Sequence, residues 1–238
     1  MNSTRKIAVI TGVLFIIATV AGLLAVPLTA DLTGTDTLTR FSVQPNQAAG
    51  GVLLWIIGYF SCAGIAIAMY PVLKEQNAGL ALGSVIFRTL EAAFYMIGVV
   101  SLLSLLTLGQ QFGAVGAADR TSLQAIGNLL VSVRDHAALV AVFAFCVGAF
   151  MYYYLFFQSR LIPRWLSGFG IVAILSMTVA CVLALFSGNR ITSYITLAAP
   201  IAVQEIILGV WLIGKGFNPS AVASLSAKRA TNELLSAA

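Results

Sequence analysis

The sequence predicts an all-α, polytopic transmembrane bundle of about six spans, with both chain ends in the cytoplasm. Three observations carry that prediction. Only 9% of the 238 residues are charged and 60% are hydrophobic, with a mean hydropathy of +0.98, whereas a soluble domain carries roughly 25% charged residues. The apolar residues also come in runs that reach the about 20 residues a helix needs to cross a bilayer. The basic residues, finally, divide unevenly between alternate loops.

The runs lie at roughly Ile7–Leu28, Ala48–Leu73, Leu80–Leu108, Leu129–Phe157, Trp165–Phe186 and Tyr194–Gly214. Each reads as a helix, because a lone strand leaves its backbone polar groups unpaired in hydrocarbon. The alternation that a membrane β-barrel needs is absent. Arg5 and Lys6 precede the first run, as in a signal peptide. That run is longer than a signal peptide's apolar core, and Leu28 stands where cleavage after Ala30 would want a small residue. It therefore reads as an uncleaved span.

Between the runs, Asp31 to Gln47 reads as a polar loop with Pro45 near its end, and Gly109 to Thr121 as a second loop. Lys74–Gly79, Gln158–Arg164 and Ser187–Thr192 read as tight turns. Residues 1–217 form one six-span unit, and 218–238 form a cytoplasmic tail, mobile or a short surface helix.

Orientation follows from the basic residues of short loops, which favour the cytoplasm. With the amino end inside, the inner side holds Arg5, Lys6, Lys74, Arg160, Arg164, Lys215, Lys228 and Arg229. The outer side holds Arg40, Arg120, Arg190 and, at its edge, Arg134. Tyr152, Tyr153, Tyr154, Phe156, Phe157, Trp165 and Trp211 cluster where inner-interface anchors belong. The expected location is the plasma membrane. The net charge of +5 fits contact with anionic lipid, and no basic stripe interleaved with aromatics suggests nucleic acid. Ala18–Gly22 and Gly58–Cys62 have the small-xxx-small spacing that lets helices approach in lipid.

A few polar side chains inside these spans need a physical reason. Arg88 and Glu91 are three residues apart on the third span, hence on one helix face. Ser84, Arg88, Glu91, Tyr95 and Gly98 follow 4-3-4-3 spacing, while Ile86, Leu90, Ala93, Ile97 and Val100 make an apolar opposite face. A charge at the bilayer centre costs about 2.5–3.5 kcal/mol on insertion scales, and pairing offsets part of it. Glu205 follows Gln204 on the sixth span, shortly after Pro200. Proline lacks an N–H, which frees the Thr196 carbonyl and favours a kink. Arg134, Asp135 and His136 stand at the start of the fourth run, either at the outer interface or buried beside Arg88 and Glu91.

The intramembrane polar site predicted from these residues is Arg88, Glu91, Tyr95, Asp135, His136, Gln204 and Glu205. Two readings stand side by side for it: a structural ion pair that fixes helix packing, or a site for a proton or solute. No metal spacing such as HExxH occurs, so no metal is expected. Cys62, Cys146 and Cys181 form no CxxC pair and read as apolar filler. There is no GxSxG elbow, P-loop or GxGxxG, so no nucleotide cofactor and no nucleophilic hydrolase chemistry is expected.

Some of these residues also form recognisable strings: Arg88-Thr89-Leu90-Glu91, Ser159 through Gly170 (SRLIPRWLSGFG), and Pro200 with Gln204-Glu205 and Trp211 through Phe217 (WLIGKGF). On these the chain, from Arg5 to Phe217, resembles the bacterial domain-of-unknown-function family numbered 4386. The resemblance implies a multispan membrane protein and brings no reaction with it. The residues themselves rank three functions. The first is a carrier that binds a proton, cation or small polar solute near mid-membrane, with Glu91 and Glu205 each in the last span of a three-span half, as in inverted-repeat transporters. Next is a non-catalytic partner or regulator. A membrane-embedded enzyme acting on a lipid through His136 and the carboxylates ranks third.

Overall fold

The computed structural model describes residues 3–29, 37–114 and 116–237. Eight α-helices and one 3-10 turn account for nearly all of them. Six helices are long and apolar enough to cross a membrane: α1 (Ser3–Thr29), α3 (Pro45–Leu73), α4 (Ala78–Phe112), α5 (Ala117–Ser159), α6 (Arg164–Ser187) and α7 (Ile195–Gly214). The fold is therefore the six-span α-helical bundle that the hydropathy predicts.

The ends of the spans obey local rules. Pro45 opens α3 at its first turn, where its missing N–H costs nothing. Asn77 caps α4 by accepting from the Leu80 N–H at 3.0 Å. Gly188, in the left-handed conformation at φ 69°, ends α6. The turn Ile191–Tyr194 then leads into α7.

The spans pack as a closed ring in chain order, α1 against α3, α3 against α4, and so on to α7, which returns to α1. At one end of the ring lie the turns that follow α3 and α5 together with the end of α7, bringing Lys74, Arg160, Arg164 and Lys215 there; this is the basic end. The opposite end carries the other connections. Outward faces are mostly apolar. Leu23, Phe60, Ile86, Val100, Val172, Phe186 and Val210 are all exposed, an apolar surface that water would not tolerate and lipid solvates. The apolar face read on the third span is this kind of surface: Ile86, Leu90, Ile97 and Val100 are 42–62% exposed, while Ser84, Arg88 and Glu91 on the other face are 1–3% exposed.

Close helix approaches depend on glycine. A Cβ at Gly12 would lie 2.6 Å from the Gly209 carbonyl oxygen, so α1 and α7 touch backbone to backbone there. On the other side of the ring, a Cβ at Gly148 would lie 3.0 Å from Phe87 Cβ and 3.2 Å from the Arg88 nitrogen, so α5 sits directly on the α4 turn that carries Arg88.

Four expectations change. Within the region read as the polar loop 31–47, Thr37–Val43 is a helix, α2, with Leu38 and Phe41 buried against α4; Asp31 lies outside the described residues. The loop read at 109–121 shrinks to the few residues between Phe112 and Ala117, because both flanking helices run past their apolar runs. Beyond Gly216 the tail takes the helical form of its two readings, as α8 (Pro219–Ala237), but Ala221 and Leu225 are buried in the main core instead of lying on the surface. Finally, Tyr152, Tyr153 and Phe156 are not interface anchors but fully buried core residues, whereas Tyr154 and Phe157 do face outward.

Candidate functional site

The centre of the ring holds an ion pair. Arg88 Nη1 lies 2.8 Å from Glu91 Oε2, and both side chains are at most 4% exposed. It is a charge contact rather than a well-directed hydrogen bond, so neither atom has a directed partner among the described residues. Arg88 Nε donates to the Cys62 carbonyl at 3.3 Å. The guanidinium also lies over the Phe145 ring, 4.7 Å from its centroid, a cation–π contact worth more when desolvated. One arginine thus ties α4 to α3 and α5.

Glu205 faces this pair from α7. Glu91 is 13 residues into α4 and Glu205 is 10 residues into α7, so they start about 20 Å and about 15 Å from opposite ends and meet near the middle. One Glu205 oxygen, Oε1, is buried without a hydrogen-bond partner among the described residues. The Tyr152 hydroxyl lies beside that carboxyl, also without a well-formed bond.

Arg88, Glu91, Tyr95 and Glu205 line one cavity of about 340 Å³. All six spans contribute: Ala18 and Thr19 from α1, Trp55, Tyr59 and Cys62 from α3, Phe145 from α5 and Met177 from α6 are among the lining. Along one wall Trp55, Tyr59 and Tyr95 form a stack, with centroids 5.3 and 4.2 Å apart and planes 16° and 2° from parallel.

The other three predicted residues lie elsewhere. Gln204 is fully buried but turns away from the cavity; the Tyr153 hydroxyl donates to its Oε1, and its Nε2 donates to the Leu166 carbonyl at 3.2 Å. Adjacent helical positions are about 100° apart, so Gln204 and Glu205 cannot share a face. Asp135 and His136 line a second pocket of about 380 Å³ at the end opposite the basic one, with Asn128, Ser132 and Arg190. There Arg190 Nε and Nη2 hold the two Asp135 oxygens at 2.7 and 2.8 Å. Arg134 reaches Asp135 at 3.4 Å, and His136 Nδ1 is 3.3 Å from Ser132 Oγ. The alternative in which these residues are buried beside Arg88 and Glu91 is not what the structure has; they occupy a partly open rim.

Near Pro200, Ser176 Oγ donates to the Leu197 carbonyl at 2.8 Å, which ties the proline-bearing turn of α7 to α6. Sequence reading missed Trp55, Tyr59, Cys62, Phe145 and Tyr152 as neighbours of the charges. For three of them the signal was spacing: Trp55, Tyr59 and Cys62 fall four and then three residues apart on α3, and Arg88, Glu91 and Tyr95 three and then four on α4, each set on one helix face. Among the described residues no cluster of three or more His, Cys, Asp or Glu stands ready for a metal ion.

The family described as "Domain of unknown function (DUF4386)" matches residues 10–216. No curated protein and no solved structure matches the chain.

Proposed function

We propose, for a chain that belongs to the DUF4386 family and is a multi-pass membrane protein, that it is a carrier binding a proton or a cation at Glu91 and Glu205. The observation that supports this is the cavity to which every span contributes, with two carboxylates and one guanidinium on its wall and a buried Glu205 oxygen that has no well-formed donor among the described residues. A purely structural ion pair wants the opposite arrangement, a dry contact with all partners supplied by protein. Arg88 holds Glu91 in place; Glu205 is the group that exchanges. The surplus of basic residues at one end orients that end to the cytoplasm of the plasma membrane.

The test is flux in proteoliposomes containing the full chain and a pH-sensitive dye. The expected result is that Glu205→Gln and Glu91→Gln each lower proton or cation flux by about tenfold or more, about 1.4 kcal/mol in barrier. Flux unchanged in both variants rejects the carrier reading.

A further inference from the structure

The geometry points to a lipophilic organic ammonium ion as the ligand of this cavity, entering from the bilayer between α1 and α7. The inference rests on the carrier reading and names its substrate class.

The first argument is the route. At Gly12 and Gly209 the two helices are in backbone contact. About ten residues along α1, roughly 15 Å away, they no longer seal the ring. There Thr19, Gly22 and Leu23 of α1 and Ile195, Ala199 and Ala202 of α7 line the cavity, and Leu23, Ile195, Ala199 and Ala202 are exposed. The mouth therefore lies on the outward side of the ring, among apolar residues, at the depth of hydrocarbon. Toward the basic end the way is closed by Phe15, Tyr152, Tyr153 and Phe156, each fully buried and in ring contact through Tyr152.

The second argument is the lining. Beyond the three charges it is made mostly of aromatic and aliphatic surface. A small hydrophilic cation brought there loses its hydration with little to replace it. A cation carrying its own hydrocarbon has already left water for the membrane, and its chain packs on Met177, Phe145 and the Trp55–Tyr59–Tyr95 stack.

The third argument is the sign of the charge. Arg88 is committed to Glu91, which leaves Glu205 in excess, with one oxygen that has no well-formed donor among the described residues. An ammonium N–H supplies that donor, and the ring faces add cation–π attraction. Arg134 packs its Cγ near Gly98, a turn from Tyr95, but its guanidinium turns to Asp135 in the other pocket. An anion would meet two carboxylates.

The experiment is equilibrium binding of octylammonium, ethylammonium, 1-octanol and octanoate to the full chain in nanodiscs, measured over empty nanodiscs. Trp165→Phe and Trp211→Phe leave Trp55, in the cavity wall, as the fluorescent reporter. Octylammonium is expected to bind saturably and about tenfold or more tighter than the other three. Glu205→Gln loses about tenfold while Glu205→Asp stays within about threefold, and unfolding midpoints equal to the parent's exclude misfolding. Ala199→Phe with Ala202→Phe, which fills the exposed mouth, slows octylammonium association by about tenfold.

Ethylammonium binding as tightly as octylammonium, or association indifferent to the filled mouth, overturns this inference while leaving the carrier reading intact. Octanoate binding tightest overturns the assigned sign. Should none of the four bind while flux still depends on Glu205, this inference falls alone; should flux also ignore Glu91→Gln and Glu205→Gln, the carrier reading falls with it.

Discussion

The central cavity and the rim pocket are built from the same chemistry, and they differ in how their charges are enclosed. Both contain arginine and a carboxylate, and each takes at least one such pair from a single span, Arg88 and Glu91 from α4 and Arg134 and Asp135 from α5. At the centre, Arg88 and Glu91 are neighbours on one helix, at most 4% exposed. Their surroundings are the Cys62 carbonyl, the Phe145 ring and a second carboxylate on α7. At the rim, Asp135 receives Arg190 from beyond α6 and Arg134 from its own helix, and all three side chains are 21–28% exposed. Water and headgroups therefore screen the rim cluster, whereas the central charges must be satisfied by protein or by a ligand. The difference teaches that a charge within a span marks a site by what it lacks, and of these two clusters it is the centre whose charged atoms lack well-formed partners among the described residues.

The variant that strains this comparison most is Arg88→Met. It leaves Glu91 and Glu205 facing each other with no cation, and breaking one side of a buried pair costs about 3–5 kcal/mol. The measure is the unfolding free energy, or the folded yield, in detergent. Arg88→Met with Glu91→Leu removes both charges, and replacing a whole buried pair is often close to neutral, so the double variant is expected to recover most of the loss. If Arg88→Met alone unfolds as the parent does, the centre is as well solvated as the rim and the distinction fails.

The contact that closes the ring beside the cavity gives the next largest effect. Gly12→Val puts side-chain atoms within 2.6 Å of the Gly209 carbonyl oxygen and against Ile213. Backbone cannot yield as a side-chain tip can, and overpacking of this kind costs about 1–3 kcal/mol. The same assay in detergent reads it. A tolerated valine means that α1 and α7 separate freely, and then the enclosure of Glu205 is not fixed by the fold.

How much of this was legible in the sequence depends on the signal each part leaves. The spans announce themselves because lipid demands long apolar runs, and the buried face of α4 because Arg88 and Glu91 break such a run at helical spacing. α2 was hidden: seven residues hold too few turns for a period, and its burial of Leu38 and Phe41 against α4 is a tertiary fact. The aromatic wall of the cavity was hidden for another reason. Trp55, Tyr59 and Phe145 look like core or interface in any apolar run, and only ring closure shows that they face charge. Tyr152 and Tyr153 stand near a span end, where rings are usually anchors, but they face the bundle interior, and Phe217 with Ala221 and Leu225 of α8 covers that end. Gln204 and Glu205 read as one feature, yet helical geometry alone separates their roles.

The rim supplies smaller effects, which sharpen the comparison from its other side. Asp135→Asn removes the negative charge that Arg190 and Arg134 share and leaves a single acceptor oxygen where there were two. Because the cluster is partly open, the expected loss is within about 1 kcal/mol. Added salt should shrink it further, since screening weakens exposed pairs far more than enclosed ones. The loss from Arg88→Met should ignore salt. A salt-insensitive loss of several kcal/mol at Asp135 would move the rim into the same class as the centre.

His136→Ala carries the smallest expectation and discriminates function rather than stability. His136 is exposed, and its contact is with Ser132 one helical turn away, at 3.3 Å. Truncating an exposed side chain of this kind changes stability by no more than about 0.5 kcal/mol. If the central cavity carries the transport, proteoliposome flux is also unchanged, because His136 lines the other pocket and not the one holding Glu205. Flux lost in His136→Ala to the extent lost in Glu205→Gln, at parental stability, would make the two pockets stations on one path. The ion would then pass by the rim, and the mouth between α1 and α7 would no longer be its entrance.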